Sequence, residues 1–226
     1  MKKKITVLLA EDHTVVREGF RKMLELEADL CIVGEAQDGR QAVDMAKKLR
    51  PDVLLMDIAM PRLNGLEATR QVLKAVPATR VLILSAHSDD AYVKNAIESG
   101  AVGFLLKQVS AHDVCRAIRE VHEGKSFFSP SVSMRLDHFN PESVDHTRTL
   151  NRRAAKLTSR EMEVLQLVAE GKANKQIAVE LCIGLKTAEK HREHLMRKLN
   201  IHDTAGLTRY AISAGIIESS VQVTIT

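Results

Sequence analysis

Glu11, Asp12, Asp57, Ser85 and Lys107 each stand at or just past the end of an apolar run, in "ITVLLAED", "DVLLMD", "RVLILSAH" and "GFLLK". Strands commonly run out into turn residues such as Gly, Asn or Pro. These four runs instead deliver three carboxylates, a hydroxyl and an ammonium. Carboxylates about 5 Å apart repel by about 3 kcal/mol per pair at an effective dielectric near 20, so such a set needs countercharge. Lys107 supplies part of it, and a divalent cation would supply more. An all-oxygen ligand set suits Mg2+. Cation, lysine and hydroxyl together are equipped to hold a phosphoryl group. The chain has no Gly-rich phosphate loop and no nucleotide motif, so the acceptor of that group is the protein itself, with Asp57 as nucleophile. Singly, each residue is an ordinary loop group; the joint pattern across four runs is what carries the inference.

One architecture brings four strand ends together. Strand candidates lie near 4–10, 30–34, 52–57, 80–85 and 102–106, and helical patterns near 14–27, 38–49, 65–75, 89–99 and 111–124. Five strand–helix repeats predict a doubly wound, five-stranded parallel α/β sheet with helices on both faces. In such a sheet, ligands bind beyond the carboxyl ends of the strands, which is where all the polar endings fall. Gly100 and Gly124 follow helices as left-handed caps would.

After residue 127 the pattern changes. "SPSVSMRLDHF" reads as a short helix with Ser129 as N-cap and Pro130 in first position, and "NPESVDHTRTLNRRAAK" as a polar linker. The predicted division is 1–127, a linker over 128–153, and a small all-α domain over 154–226. Its helical patterns run near 159–170, 174–181, 186–199 and 203–214. Thr158 and Glu161 form a capping box, Asn174 is placed to cap the second helix, and Gly184 precedes the third. Two helices, a short Gly-containing turn in "CIGL", and a charged second helix describe a helix-turn-helix, an ordinary helical bundle being the alternative. Charge agrees with a polyanion partner: residues 1–127 hold 19 Lys and Arg against 18 Asp and Glu, whereas 150–226 hold 12 against 8.

Composition narrows the setting. Hydrophobic residues make up 45% of 226, enough for two modest cores, and with aromatics at 3% those cores must be aliphatic. Three dispersed cysteines in apolar segments suit buried thiols in a reducing compartment. The "MKKK" start turns acidic too soon for a signal peptide, and no apolar run approaches the ~20 residues that span a bilayer. A cytoplasmic, soluble protein without a membrane partner is expected.

The stretches "VLLAEDH", "LLMDIAMPRLNG", "LSAH" and "GAVGFLLK" resemble the receiver domain of two-component response regulators. The resemblance implies that Asp57 accepts phosphate from the phosphohistidine of a histidine kinase. It also implies that Asp12, Glu11 through water, Asp57 and the Ala59 carbonyl hold Mg2+. Ser85 would swing toward the phosphoryl group, Phe104 would turn inward as the switch aromatic, and Lys107 would pair with a phosphoryl oxygen. Glu11 stands where many members have Asp. Gln108 stands where many have Pro, so a cis bond after Lys107 costs ~3 kcal/mol more than with proline.

"LTSREMEVLQLVAEGKANKQIA" and "KTAEKHREHLMRKL" are similar to the LuxR-type DNA-binding domain, and with the receiver they make the NarL/FixJ family. This implies that Lys186, Thr187, Glu189 and Lys190 belong to the recognition helix, with Thr187, Glu189 and Lys190 facing the major groove of double-stranded DNA. Lys175 and Arg192 would approach phosphates or the groove edge. Leu207, Tyr210 and Ala211 would form the contact of a homodimer assembled on phosphorylation or on DNA. The expected protein is a phosphorylation-controlled transcription regulator, not an enzyme beyond its own phosphorylation and slow dephosphorylation. One alternative is a Mg2+-dependent phosphatase with Asp57 as nucleophile, although Ala59 stands where a second catalytic carboxylate would assist a leaving group. Another is a constitutive DNA binder with a vestigial receiver. His87 could tune hydrolysis of the phosphoaspartate or have no role, and the tail "VQVTIT" alternates as a small strand or frays.

Overall fold

The computed structural model describes residues 4–86, 90–129, 132 and 157–217. The chain divides into two compact units, Met1–Pro141 and Glu142–Thr226. The expectations for His87, for the linker with its short helix, and for the tail strand fall outside the described residues.

The first unit alternates β1 (Ile5–Ala10), α1 (Thr14–Glu25), β2 (Leu30–Ala36), α2 (Gly39–Leu49), β3 (Val53–Asp57), α3 (Gly65–Ala75), β4 (Arg80–Ser85), α4 (Asp90–Glu98), β5 (Gly103–Leu106) and α5 (Ala111–His122). A two-residue β6 (Phe127–Phe128) extends the sheet to six parallel strands in the order β2-β1-β3-β4-β5-β6. All five expected strands are present, and this last strand, too short to carry a period of its own, adds a sixth. Side-chain alternation along the strands fills two cores. Val7, Leu9, Val53, Leu55, Leu82 and Leu84 meet α1 and α5 through Leu24, Val114, Ile118 and Val121. Leu8, Ala10, Leu54, Met56, Val81 and Ile83 meet α2, α3 and α4 through Val43, Ala46, Val72 and Val93. Burial on both faces explains why these strands read as unbroken apolar runs.

Caps set the helix starts: Asp38 accepts from Gln41 N–H, Asn64 from Glu67 N–H, and Ser110 from Asp113 N–H. Gly100 and Gly124 take φ of +94° and +87°, as left-handed caps do.

The second unit contains α6 (Ser159–Ala169), α7 (Asn174–Glu180), α8 (Leu185–Leu199) and α9 (Thr204–Ser213). Thr158 Oγ1 accepts from Glu161 N–H while Glu161 Oε2 accepts from Thr158 N–H, completing the capping box. Asn174 does not cap α7 but begins it; Ala173 is the N-cap, its N–H bonded to Gln176 Oε1 at 2.8 Å. Gly184 caps α8 without a side-chain bond. The core joins Leu165 and Val168 of α6, Ile177 of α7, Leu195 and Leu199 of α8, and Leu207, Tyr210 and Ala211 of α9. Leu207, Tyr210 and Ala211 therefore face their own unit, which corrects their expected place at a dimer contact. The exposed residues of α9 include Arg209 and Ile212.

The cysteines also differ from expectation. Cys115 is buried, but Cys31 and Cys182 are exposed. Cys31 lies on edge strand β2, and Cys182 lies in the turn between α7 and α8 with φ of +51°. No helix among the described residues is long and apolar enough to cross a membrane.

Candidate functional site

The strand order reverses between β1 and β3, opening a crevice at their carboxyl ends. Glu11 follows β1 and Asp57 ends β3; both are buried. Lys107, just past β5, reaches across to both, with Nζ 2.8 Å from Glu11 Oε2 and 2.9 Å from Asp57 Oδ2. Its backbone N–H donates to the Ser85 carbonyl at 2.8 Å, which ties the ends of β4 and β5 together. Asp12 lies a quarter exposed at the mouth, Ser85 is buried at the end of β4, and Ala59 lies half-buried in the β3–α3 loop. The Lys107–Gln108 peptide is trans.

Close backbone contact holds Asp57 in place. Ile58 N–H donates to Asp57 Oδ1 at 2.8 Å. A Cβ on Gly65 would lie 1.8 Å from the Asp57 carbonyl oxygen, so only glycine lets the start of α3 approach the acidic strand end.

Burial pushes the Asp57 carboxyl up to about 6; the Glu11 carboxylate adds to this and the Lys107 ammonium opposes it. Burial works against the charge of Lys107, but the Asp57 and Glu11 carboxylates outweigh it and raise its pKa. Three oxygens, Glu11 Oε2, Asp12 Oδ1 and Asp57 Oδ2, are buried without a well-directed hydrogen bond. Three converging carboxylates share one ammonium and one imidazole, and such an excess of negative charge fits a small hard cation.

Two neighbours were not singled out from the sequence. Arg17, buried on α1, donates from Nη1 to the Glu11 carbonyl at 2.8 Å and the Asp12 carbonyl at 3.3 Å, and its Nε lies 3.4 Å from Glu35 Oε2. It clamps the loop that carries the acidic pair. The available signal was an Arg sharing a helical stripe with Phe20 and Leu24. His13 Nδ1 lies 2.8 Å from Asp12 Oδ1 and 3.2 Å from Glu11 Oε1, and Asp12 raises its pKa. Phe104 is already fully buried, so this conformation leaves it no inward turn to make.

In the helical unit, α8 turns Ala188, Leu195 and Leu199 inward and Lys186, Thr187, Glu189 and Lys190 outward. Arg197 and Lys198 are engaged by Glu193 and Glu161, whereas Lys175, Lys186 and Lys190 make no ion pair among the described residues. Unpaired cations thus gather at the start of α7 and the first half of α8. Arg192 is turned to internal use: Nη1 donates to Asn174 Oδ1 at 3.0 Å and Nη2 to Thr204 Oγ1 at 2.7 Å, tying α8 to the starts of α7 and α9.

Comparison with known proteins agrees with both units. Residues 7–119 match the response regulator receiver domain, and 155–211 match the bacterial regulatory proteins of the luxR family. The transcriptional regulatory protein YxjL of Bacillus subtilis is 36% identical over 219 residues, covering 96% of this chain and 99% of YxjL. LiaR of the same organism, also a transcriptional regulatory protein, is 37% identical over 92% of this chain and 96% of its own. A solved structure of two RcsB dimers bound to two parallel DNAs is similar with a TM-score of 0.58, at 27% identity over 93% of this chain and 99% of that one.

Proposed function

The chain belongs to the NarL/LuxR family of two-component response regulators, DNA-binding proteins that join a receiver to a LuxR-type domain, and from this we propose that Asp57 is its phosphoacceptor. The observation that carries the proposal is the buried Asp57 carboxylate paired with Lys107 at 2.9 Å beside the acidic pair. A carboxylate oxygen of Asp57 attacks phosphorus of a histidine kinase's phosphohistidine. The N–P bond breaks with its electron pair passing to the imidazole, and an acyl phosphate forms. Glu11, Asp12, Asp57 and the Ala59 carbonyl would hold Mg2+, which when bound would neutralise phosphoryl oxygens. Lys107 exchanges its carboxylate partner for a phosphoryl oxygen, Ser85 donates to another, and Phe104 packs beneath them. Arg17 keeps the acidic pair aimed at the site.

The receiver, expected to end at 127, runs at least through β6 (Phe127–Phe128), and the DNA-binding domain carries α6 to α9 after a linker. Lys186, Thr187, Glu189 and Lys190 enter the major groove while Lys175 approaches its edge, and Arg192, expected there too, instead braces the starts of α7 and α9. Unpaired lysines on these helices support this, because phosphate contact releases counterions only from cations not already neutralised. RcsB's dimers on DNA support a dimer here too, with half-sites about 34 Å apart or a multiple of that. Such a protein works in the cytoplasm, beside its DNA.

Incubation of the full chain with Mg2+ and acetyl phosphate tests the acceptor. One phosphoryl group per chain is expected by intact-mass measurement, and none on Asp57→Asn. Stoichiometric phosphorylation of the Asn variant would overturn the assignment.

A further inference from the structure

Glu11, Asp12, His13 and Asp57 each offer one ligand atom, and the four atoms lie within 4.8 Å of one another. Three of these residues are the carboxylates already assigned to the cation. The fourth is an imidazole, and it departs from the all-oxygen set read from the sequence.

We propose that His13 is an additional, nitrogen ligand of the receiver's cation site, giving it a preference for later divalent transition ions such as Ni2+ and Zn2+ over Mg2+. The proposal rests on the acidic rim being a cation site.

Spacing is the first support. In an octahedral shell with bonds near 2.1 Å, neighbouring ligand atoms stand about 3.0 Å apart and opposite ones about 4.2 Å. His13 Nδ1 stands 2.8 Å from Asp12 Oδ1 and 3.2 Å from Glu11 Oε1, both close to the neighbour distance. The Asp12 oxygen is a second support. Asp12 Oδ1 is buried and receives no well-directed hydrogen bond although an imidazole nitrogen lies beside it. A metal ion shared by the two atoms would satisfy both. Position is the third. His13 N–H donates to Glu11 Oε1 at 3.2 Å, which holds the residue over the acidic pair, while its side chain is 65% exposed. The imidazole therefore stands on the solvent side, where an ion enters, and its partial freedom lets it close behind the ion.

Chemistry decides which ions benefit. Mg2+ prefers oxygen and gives up water reluctantly, so it gains little from an imidazole. Imidazole suits Ni2+, Cu2+ and Zn2+, and affinity at a mixed nitrogen–oxygen site rises along the series from Mn2+ to Cu2+. If His13 is only an ion-pair partner of Asp12, no such discrimination between ions arises.

The full chain titrated with Mn2+ and followed by electron paramagnetic resonance gives affinity, and spin-echo modulation reports nitrogen bound to the ion. Wild type is expected to show imidazole-type nitrogen modulation that disappears in His13→Asn and His13→Gln. Ni2+ affinity, read by displacement of Mn2+, is expected to fall about tenfold in both variants. Mg2+ affinity, read by competition, is expected to change by less than about twofold. Asp12→Asn, the site control, is expected to lose both ions. Modulation that persists without His13, or Mn2+ bound in wild type without any, would overturn His13 as a ligand while leaving the acidic site intact. A wild-type chain that binds neither ion, or an Asp12→Asn variant that binds both as wild type does, would overturn the cation site itself and the proposal with it.

Discussion

The two units handle charge in opposite ways. At the receiver rim, Glu11 and Asp57 are buried around one ammonium, so every charge there acts on every other. In the helical unit the buried Glu161 and Glu163 each have a cation of their own, Lys198 and Arg160, while the unpaired lysines stand on the solvent faces of α7 and α8. Low dielectric makes the first cluster strongly coupled, whereas water and salt separate the charges of the second. A chemical event at one aspartate is therefore felt throughout the rim. On the solvent faces of α7 and α8, each lysine stands on its own.

The largest expected effect is at Asp57. Beyond abolishing phosphoryl transfer, Asp57→Asn should change how stability depends on pH. The folded pKa of about 6 lies above the ordinary value of 3.8. The folded state thus binds the Asp57 proton more tightly than the unfolded chain does, and wild-type stability falls as pH rises from about 4 to about 6. Above that window the cost of the buried charge is on the order of 3 kcal/mol. In chelator-containing buffer, Asp57→Asn should be more stable than wild type at pH 7.5 and lose that advantage near pH 4. Urea melts across this range check it, and a pH-independent difference would show that Asp57 is not strained by burial.

Lys107→Ala comes next. It leaves two buried carboxylates without their shared partner, which should cost about 3 kcal/mol at neutral pH. Added Mg2+ should recover part of the loss. If the variant melts like wild type in chelator, the rim is less coupled than its geometry implies.

On the DNA side the effects should be smaller and independent. Lys190→Ala is expected to weaken binding roughly tenfold and to relax preference at one base position, if it reaches a base edge. Lys175→Ala should weaken all sequences alike and shallow the salt dependence by about one unit. The double variant should show the product of the single effects, within error. Strong non-additivity in binding would break the contrast with the receiver rim.

The smallest is Thr158→Ala, which removes half of the capping box on α6 and should cost about 1 kcal/mol of the helical unit's stability by thermal melt. The receiver's transition should not move.

Much of this was legible beforehand because strong local signals coincide with the elements. Buried parallel strands appear as apolar runs, and their polar endings mark the rim. The four helices of the second unit lie within about two residues of their periodic patterns because caps and apolar stripes agree. What was illegible depended on partners distant in sequence. The stripe Leu207, Tyr210 and Ala211 shows that α9 has an apolar side, but not whether that side meets its own core or another copy. Cys31 has apolar neighbours, yet only the sheet order reveals that it lies on an edge. Arg17 looks like a surface arginine until the loop carbonyls of Glu11 and Asp12 are placed beside it.

The sheet's two ends also bear on how copies of the chain can crowd together. Strand β6 offers only two residues to a newcomer. Strand β2 is longer, but its register with β1 shifts between Val7 and Leu8, and Glu35 on it is engaged by Arg17 and Arg21. An irregular, charged edge and a very short one are poor templates for strand addition. Among the described residues, neither edge therefore invites a neighbour's strand, even where copies of the chain stand close together.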